Sequence, residues 1–394
     1  MTKKTLVAGV GMIPFTKPGK SESWDVMGAA ATRAALRDAS VDYANIQQAY
    51  VGYVYGDSTS GQSALYDVGV TGIPIINVNN NCSTGSTALF LARQAVASGT
   101  VDVALALGFE QMVPGALASV FKDRKPTMSK FHAVIAQLQE RDPTAPGAAQ
   151  LFGGAAREYQ QKYGLKAETL AMISVKARRH AANNPLALFT EPVSVDQVLA
   201  SPHLYGPLTR LQACPPTCGA AAAVIVSADY AKRKGLTGLV EIAGQALTTD
   251  RESTFADMSM IKIVGFDMAK DAACRVYEEA GAGPEDVQVV ELHDCFTANE
   301  LLSYESLGLA PVGGGERMVM DGDNTYGGKV VVNPSGGLLS KGHPLGATGL
   351  AQCYELVHQV RGTADKRQVE GVRNALQHNL GLGGACVVTM YRAV

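Results

Sequence analysis

Cys82 follows Asn79-Asn80-Asn81 and precedes Ser83-Thr84-Gly85-Ser86-Thr87, where a long helix is predicted over about 83–98. A thiol at a helix start feels the positive end of the helix dipole, which lowers its pKa and favours thiolate. The free backbone N–H groups there can hold an oxyanion. A lone cysteine is more often a small buried hydrophobe, but the small polar flank and the helix start favour a nucleophile. His343 lies in Ser340-Lys341-Gly342-His343-Pro344-Leu345-Gly346, pinned between Gly and Pro where a second helix begins. As neutral imidazole it can accept the Cys82 proton, donate to a developing oxyanion, or merely cap the helix.

Cys295 lies in Glu291-Leu292-His293-Asp294-Cys295-Phe296. If the preceding strand persists this far, His293 and Cys295 share one face, because strand side chains alternate. A second thiol can shuttle a proton to and from carbon, pair with Cys82 in a redox couple, or be a structural neighbour. Asn379-Leu380-Gly381-Leu382-Gly383-Gly384-Ala385 is nearly bare backbone whose N–H groups suit an anion-binding nest. It is neither a Walker loop nor, just before a terminal strand, a dinucleotide fingerprint.

The elements that must position these residues alternate. In the first part, strands over 5–11, 49–55, 73–78 and 102–108 are separated by helices over 24–38 and 83–98. In the last part, strands over 239–246, 287–292, 330–332 and 385–391 are separated by helices over 267–280 and 344–361. Such alternation implies a layered α/β fold. A shift of 261 positions lays Cys82 on His343, Gly85 on Gly346, Thr87 on Thr348 and Leu89 on Leu350. Together with the repeated order, these matches favour a duplicated α/β domain whose two helix starts face each other. Residues 120–205 differ, with helices near 148–163 and 167–183 and basic clusters Lys122/Arg124/Lys125 and Arg178/Arg179. They read as an inserted loop domain over the site, their charge either a solvated face or a grip on a phosphate-bearing ligand.

Composition removes other classes. Charged residues are 18% and apolar ones 46%, the balance of a chain with a sizeable core. A net charge of −2 argues against bulk nucleic-acid binding. No apolar run reaches the ~20 residues of a membrane span. Seven scattered cysteines favour a reducing compartment. Without a signal peptide or a C-terminal peroxisomal tripeptide, the expected location is cytoplasmic. Cys214 and Cys218 flank two prolines and have no zinc-ribbon partners, so no metal is expected.

The stretches NNNCSTGSTAL (79–89), ELHDCFTANE (291–300), NPSGGLLSKGHPLGATG (333–349) and QHNLGLGGA (377–385) resemble the catalytic loops of the thiolase superfamily. With GIPIINV (72–78), they resemble its sterol carrier protein-type branch. The likeness spans essentially the whole chain, and its motifs stand in the right order. It implies two βαβαβαββ halves in a five-layer αβαβα arrangement: 1–119 with 206–236, and 237–394. The inserted loop domain is 120–205. It also implies a homodimer and cleavage of a 3-ketoacyl-CoA by coenzyme A, a co-substrate, with no bound cofactor. Carried over by position, Cys82 is the acylated nucleophile, and His343 activates it and helps bind the thioester oxygen. Most thiolases place an acid/base cysteine where this chain has Asn379; in this branch the HDCF cysteine takes over, here Cys295. His293 would hold water or polarise the substrate in a first oxyanion hole. The N–H groups of Cys82 and Gly381 would form a second. Thr217-Cys218-Gly219 departs from the Ser-Asp-Gly of many relatives and implies different local hydrogen bonding. The rival readings are retro-aldol cleavage of a CoA-linked steroid side chain with a small partner protein, and a non-catalytic acyl-CoA or lipid scaffold.

Overall fold

The computed structural model describes residues 3–114 and 121–394. The first residue assigned to the inserted segment, Val120, and the last ones assigned to the first half, 115–119, lie outside them.

In the first half, β1 (Thr5–Met12), β2 (Gln48–Gly52), β3 (Ile75–Val78), β4 (Val103–Glu110) and, after the insertion, β7 (Gly219–Ser227) stand in the order β3-β2-β4-β7-β1. The insertion contributes the hairpin β5 (His203–Tyr205) and β6 (Leu208–Thr209). In the second half, β8 (Val240–Thr248), β9 (Val289–Glu291), β10 (Val331–Val332), β11 (Asn374–Gly381) and β12 (Ala385–Ala393) stand in the order β10-β9-β11-β12-β8. The two orders are the same, and so are the directions. β3-β2-β4 and β10-β9-β11 are parallel, whereas the last two strands of each half pair antiparallel. The repeat legible in the residues is a repeat of topology. A ladder of two residue pairs, Leu6 with Glu241 and Val7 with Val240, joins the halves into one ten-stranded sheet.

Alternation along the strands sorts the core into layers. In β4 and β7, Val103, Leu105, Leu107, Ala220, Ala222, Val224 and Val226 face outward to helix Trp24–Ala39. Ala104, Ala106, Ala221 and Ala223 face inward. These small side chains let two helices, Thr84–Ala97 and Thr348–Arg361, lie between the half-sheets and against each other. Helix Phe266–Ala280 covers the far side of β8 and β12. The order is helix, sheet, helix pair, sheet, helix.

The inner pair meets where Gly85 and Gly346, equivalent under the 261 shift, touch. A Cβ on Gly85 would stand 2.6 Å from the Gly346 carbonyl oxygen. Between β4 and β7, helices Gly147–Tyr163 and Ala167–Ala181 cross to the second half. Phe152 stacks on Phe296 at 5.1 Å, and Lys176 forms a buried ion pair with Glu300. Among the described residues, no helix is long and apolar enough to cross a membrane.

Candidate active site

Cys82 lies in the turn between β3 and helix Thr84–Ala97, one residue before the cap residue Ser83. Asn81, with φ 52°, turns the chain through the left-handed region that asparagine tolerates. Ser83 Oγ donates to the Asn80 carbonyl (2.8 Å), and Asn81 Nδ2 donates across to the Leu382 carbonyl of the second half (3.0 Å). The thiol is buried, 3.6 Å from Asn81 Oδ1. Burial pushes it up to about 12, with the Glu110 charge adding and the N–H groups of Cys82 and Leu382 opposing. This corrects the expectation of a dipole-lowered thiolate: loss of water outweighs the helix start, and the resting side chain is a thiol.

His343 stands in the matching turn of the second half. Helix Thr348–Arg361 starts four residues later than the predicted position at Pro344, because Pro344–Ala347 form a separate turn. The His343 N–H donates to Thr217 Oγ1 (3.1 Å), so the departing Thr-Cys-Gly stretch supplies one of the hydrogen bonds that seat this loop. His343 Nδ1 bonds Thr348 Oγ1 (2.7 Å), whose own proton goes to the Pro344 carbonyl (2.9 Å). Nδ1 therefore donates. Nε2 is buried, bare and without a hydrogen-bond partner among the described residues. Burial holds the ring neutral, its pKa lowered to about 3.

β9 ends at Glu291, so the alternation argument for His293 and Cys295 does not apply. Instead the chain leaves the sheet, steered by side chains: the Leu292 N–H donates to Asn333 Oδ1 (2.8 Å), and Asp294 accepts from the Leu338 N–H (2.7 Å). His293 still reaches the site. Its ring meets that of His343 edge to face, with centroids 5.0 Å apart. One donor atom each from Cys82, His293 and His343 lie within 4.8 Å of one another. Burial, with His343 and His378 beside it, keeps the His293 ring well below its usual pKa. A sulfur and two imidazoles this close also form a donor set that zinc accepts. Cys214 and Cys218, on which the expectation of no metal was argued, are not part of it.

Cys295 lies outside this trio. It is buried, and desolvation with the charges of Cys214, Cys82 and Asp294 drives its thiol well above the usual value. Cys214 sits opposite it, its N–H donating to the Cys295 carbonyl (2.9 Å) beside the antiparallel bridge between Ala213 and Phe296. Gly381 ends β11 against the Cys82 turn; a Cβ there would stand 2.2 Å from the Asn80 carbonyl oxygen. Sequence reasoning missed Glu110, and it named Thr217, Thr348 and Leu382 without giving any of them a bond in the site. Glu110 accepts from the N–H groups of Val54 (3.1 Å), Tyr55 (2.9 Å) and Gly346 (3.0 Å), tying the His343 loop to the first half. An acid closing an otherwise apolar strand was the available signal. The basic residues are more dispersed. Lys122, Arg124 and Lys125 are exposed, and Arg124 pairs with Asp123 and lies over Phe121. Arg178 lies over Phe189, and Arg179 donates to Thr325 Oγ1 (3.0 Å).

Residues 5–229 match the family described as Thiolase, N-terminal domain, and residues 250–391 match Thiolase C-terminal domain-like. This chain belongs to the thiolase family. Sterol carrier protein 2 of Oryctolagus cuniculus is 53% identical over 99% of this chain and 72% of its own. Benzoylsuccinyl-CoA thiolase subunit BbsB of Thauera aromatica is 39% identical over 97% of this chain and 96% of its own. Among solved structures, the Ltp2-ChsH2(DUF35) aldolase superposes with a TM-score of 0.83 at 25% identity, covering 99% of this thiolase and 98% of that chain. Human mitochondrial 3-ketoacyl-CoA thiolase shares the fold, with a TM-score of 0.73 at 18% identity over 100% of this chain and 99% of its own.

Proposed function

We propose that this thiolase-family acyltransferase cleaves a 3-ketoacyl-CoA with coenzyme A through an acyl-Cys82 intermediate. One observation carries the reading: the Cys82 thiol and the bare Nε2 of His343 share a buried site with His293. Nε2 takes the Cys82 proton, and Sγ attacks the 3-keto carbon. The C2–C3 bond breaks, and its electron pair becomes the enolate of the short acyl-CoA, with His293 and His343 around the oxygen. The Cys295 thiol gives its proton to C2. An incoming CoA then loses its proton to Cys295 and attacks the acyl group, held by the N–H groups of Cys82 and Gly381. The shortened acyl-CoA leaves, and Cys82 regains its proton from His343. No metal is used. Incubation with 3-ketoacyl-CoA and no free CoA should acylate Cys82, as read by mass spectrometry, and Cys82→Ala should abolish thiolysis by several orders of magnitude. An acyl group elsewhere sinks the reading.

The likeness to an aldolase assembled with a DUF35 chain favours the second reading, retro-aldol cleavage beside a small partner. That chemistry forms no acyl-cysteine, so the same experiment separates the two. We place the CoA phosphates on Lys122, Arg124 and Lys125, with Arg178 and Arg179, in an inserted unit 120–205 between halves 1–119 with 206–236 and 237–394. Neutralising both clusters should raise KM for CoA, most at low salt. An unchanged KM makes them a solvated face. The working form is a cytoplasmic homodimer.

A further inference from the structure

A directed chain of hydrogen bonds runs behind the site, and every side chain in it is buried. Tyr391 Oη donates to Gln377 Oε1 (2.5 Å). The amide nitrogen of Gln377 donates to the Gly349 carbonyl (2.6 Å) and to Ser86 Oγ (2.8 Å). Ser86 therefore spends its own proton on Asn379 Oδ1 (2.8 Å). Asn379 Nδ2 then points at the Cys82 carbonyl (3.1 Å) and at His293 Nδ1 (3.1 Å). The Gly349 and Cys82 carbonyls only accept, so neither amide can be turned round without setting oxygen against oxygen. With an N–H arriving at Nδ1, the His293 proton must sit on Nε2. That nitrogen has no protein partner among the described residues. His343 is fixed the other way, through Thr348.

We infer that Asn379 is a positioning residue that locks His293 in the Nε2–H tautomer, opposite to His343, so that the site offers one N–H donor and one bare nitrogen. Resting on the thiolase reading, this assigns the two rings. His293 donates to the substrate oxygen as charge develops on it, and His343 removes the thiol proton. The residue that stands where most relatives have an acid/base cysteine thus works through its neighbour and transfers no proton itself. An aspartate in its place has no N–H to give. It would accept from Nδ1 and take the proton from the face that meets substrate.

The test is the ring nitrogen spectrum of protein labelled with 15N-histidine, with His293 assigned by the signal lost in His293→Gln. Nδ1 of His293 should resonate as a bare ring nitrogen in the wild type and as a protonated one in Asn379→Asp. The same variant should lose about 10²–10³ in kcat, the usual loss on removing one oxyanion donor, with KM held. Asn379→Ala takes away the N–H that arrives at Nδ1 and should give a mixture of tautomers, a check independent of how well a buried aspartate folds. A wild-type His293 protonated on Nδ1, or an unchanged tautomer in both variants, overturns the inference and leaves the thiolase reading intact. A wild type with the stated tautomer but no acyl-Cys82 overturns that reading instead.

Discussion

Cys82 and Cys295 are both buried thiols held protonated, and that suits them to different tasks. Cys82 has a bare imidazole nitrogen in its own cluster. Cys295 has no base within that cluster, and a thiol driven far up by burial is an acid that keeps its proton until a carbanion asks for it. Asn379, an amide, exchanges no proton at neutral pH. Cys295→Ala should therefore lose C–C cleavage while Cys82 still reacts with iodoacetamide. Solvent-deuterium exchange at C2 of acetyl-CoA reads the missing step, and exchange at the wild-type rate would make Cys295 a bystander. At this scale the sequence was informative about who is present. Cys82, His293 and His343 stand in recognisable loops, and all three meet. What it left unreadable was protonation. The level of the Cys82 thiol is set by walls contributed from remote segments, and the proton on each ring is set by Thr348, in the same loop as His343, and by Asn379, which local sequence does not connect to His293.

Helices and strands long enough to show a period were legible to within a few residues, as in Gly147–Tyr163, Ala167–Ala181 and Phe266–Ala280. The segment after β9 was not, because it is held by Asn333 and by the backbone of Leu338 rather than by a strand partner. Helix Ala167–Ala181 shows how such anchoring works. Its His180 bonds the Asn333 carbonyl through Nδ1 (3.0 Å) and Thr325 Oγ1 through Nε2 (2.8 Å), fixing the insertion to the segments on both sides of β10. Burial lowers its pKa to about 3, with Lys176 adding. The sign follows from linkage. Above pH ~6.5 the ring is neutral folded and unfolded. Below that, only the unfolded chain takes the proton, so stability falls as pH drops toward 3. His180→Gln should thus cost about 1–3 kcal/mol at pH 8, the price of a buried hydrogen-bonding group, and less at pH 5. Chemical denaturation at the two values reads the difference; a gap that widens in acid contradicts the assignment.

Two copies of one topology, closed around a shared helix pair, leave the ten-stranded sheet with β3 at one end. Its residues are only half-buried, and Tyr66 and Val70 are exposed beside it. An open strand edge with apolar neighbours calls for a cover. Light scattering should give about twice the 41.3 kDa of the chain, and a monomer would refute the homodimer. The duplication was visible in the sequence through Gly85, Gly346, Thr87 and Thr348. The crossing of the insertion onto the opposite half was not, since nothing local in Phe152 or Lys176 names Phe296 or Glu300 as partner.

On the proposed mechanism the nucleophile and its base come from different halves, 261 positions apart in the chain. Ribosomes add about 5–20 residues per second, so Cys82 is made roughly ten to fifty seconds before His343. During that interval the growing chain holds the thiol without the nitrogen that activates it, and without the second half that supplies Leu382 and His293 around it. On that mechanism each molecule is made without thiolase activity and acquires it only when the last half docks on the first.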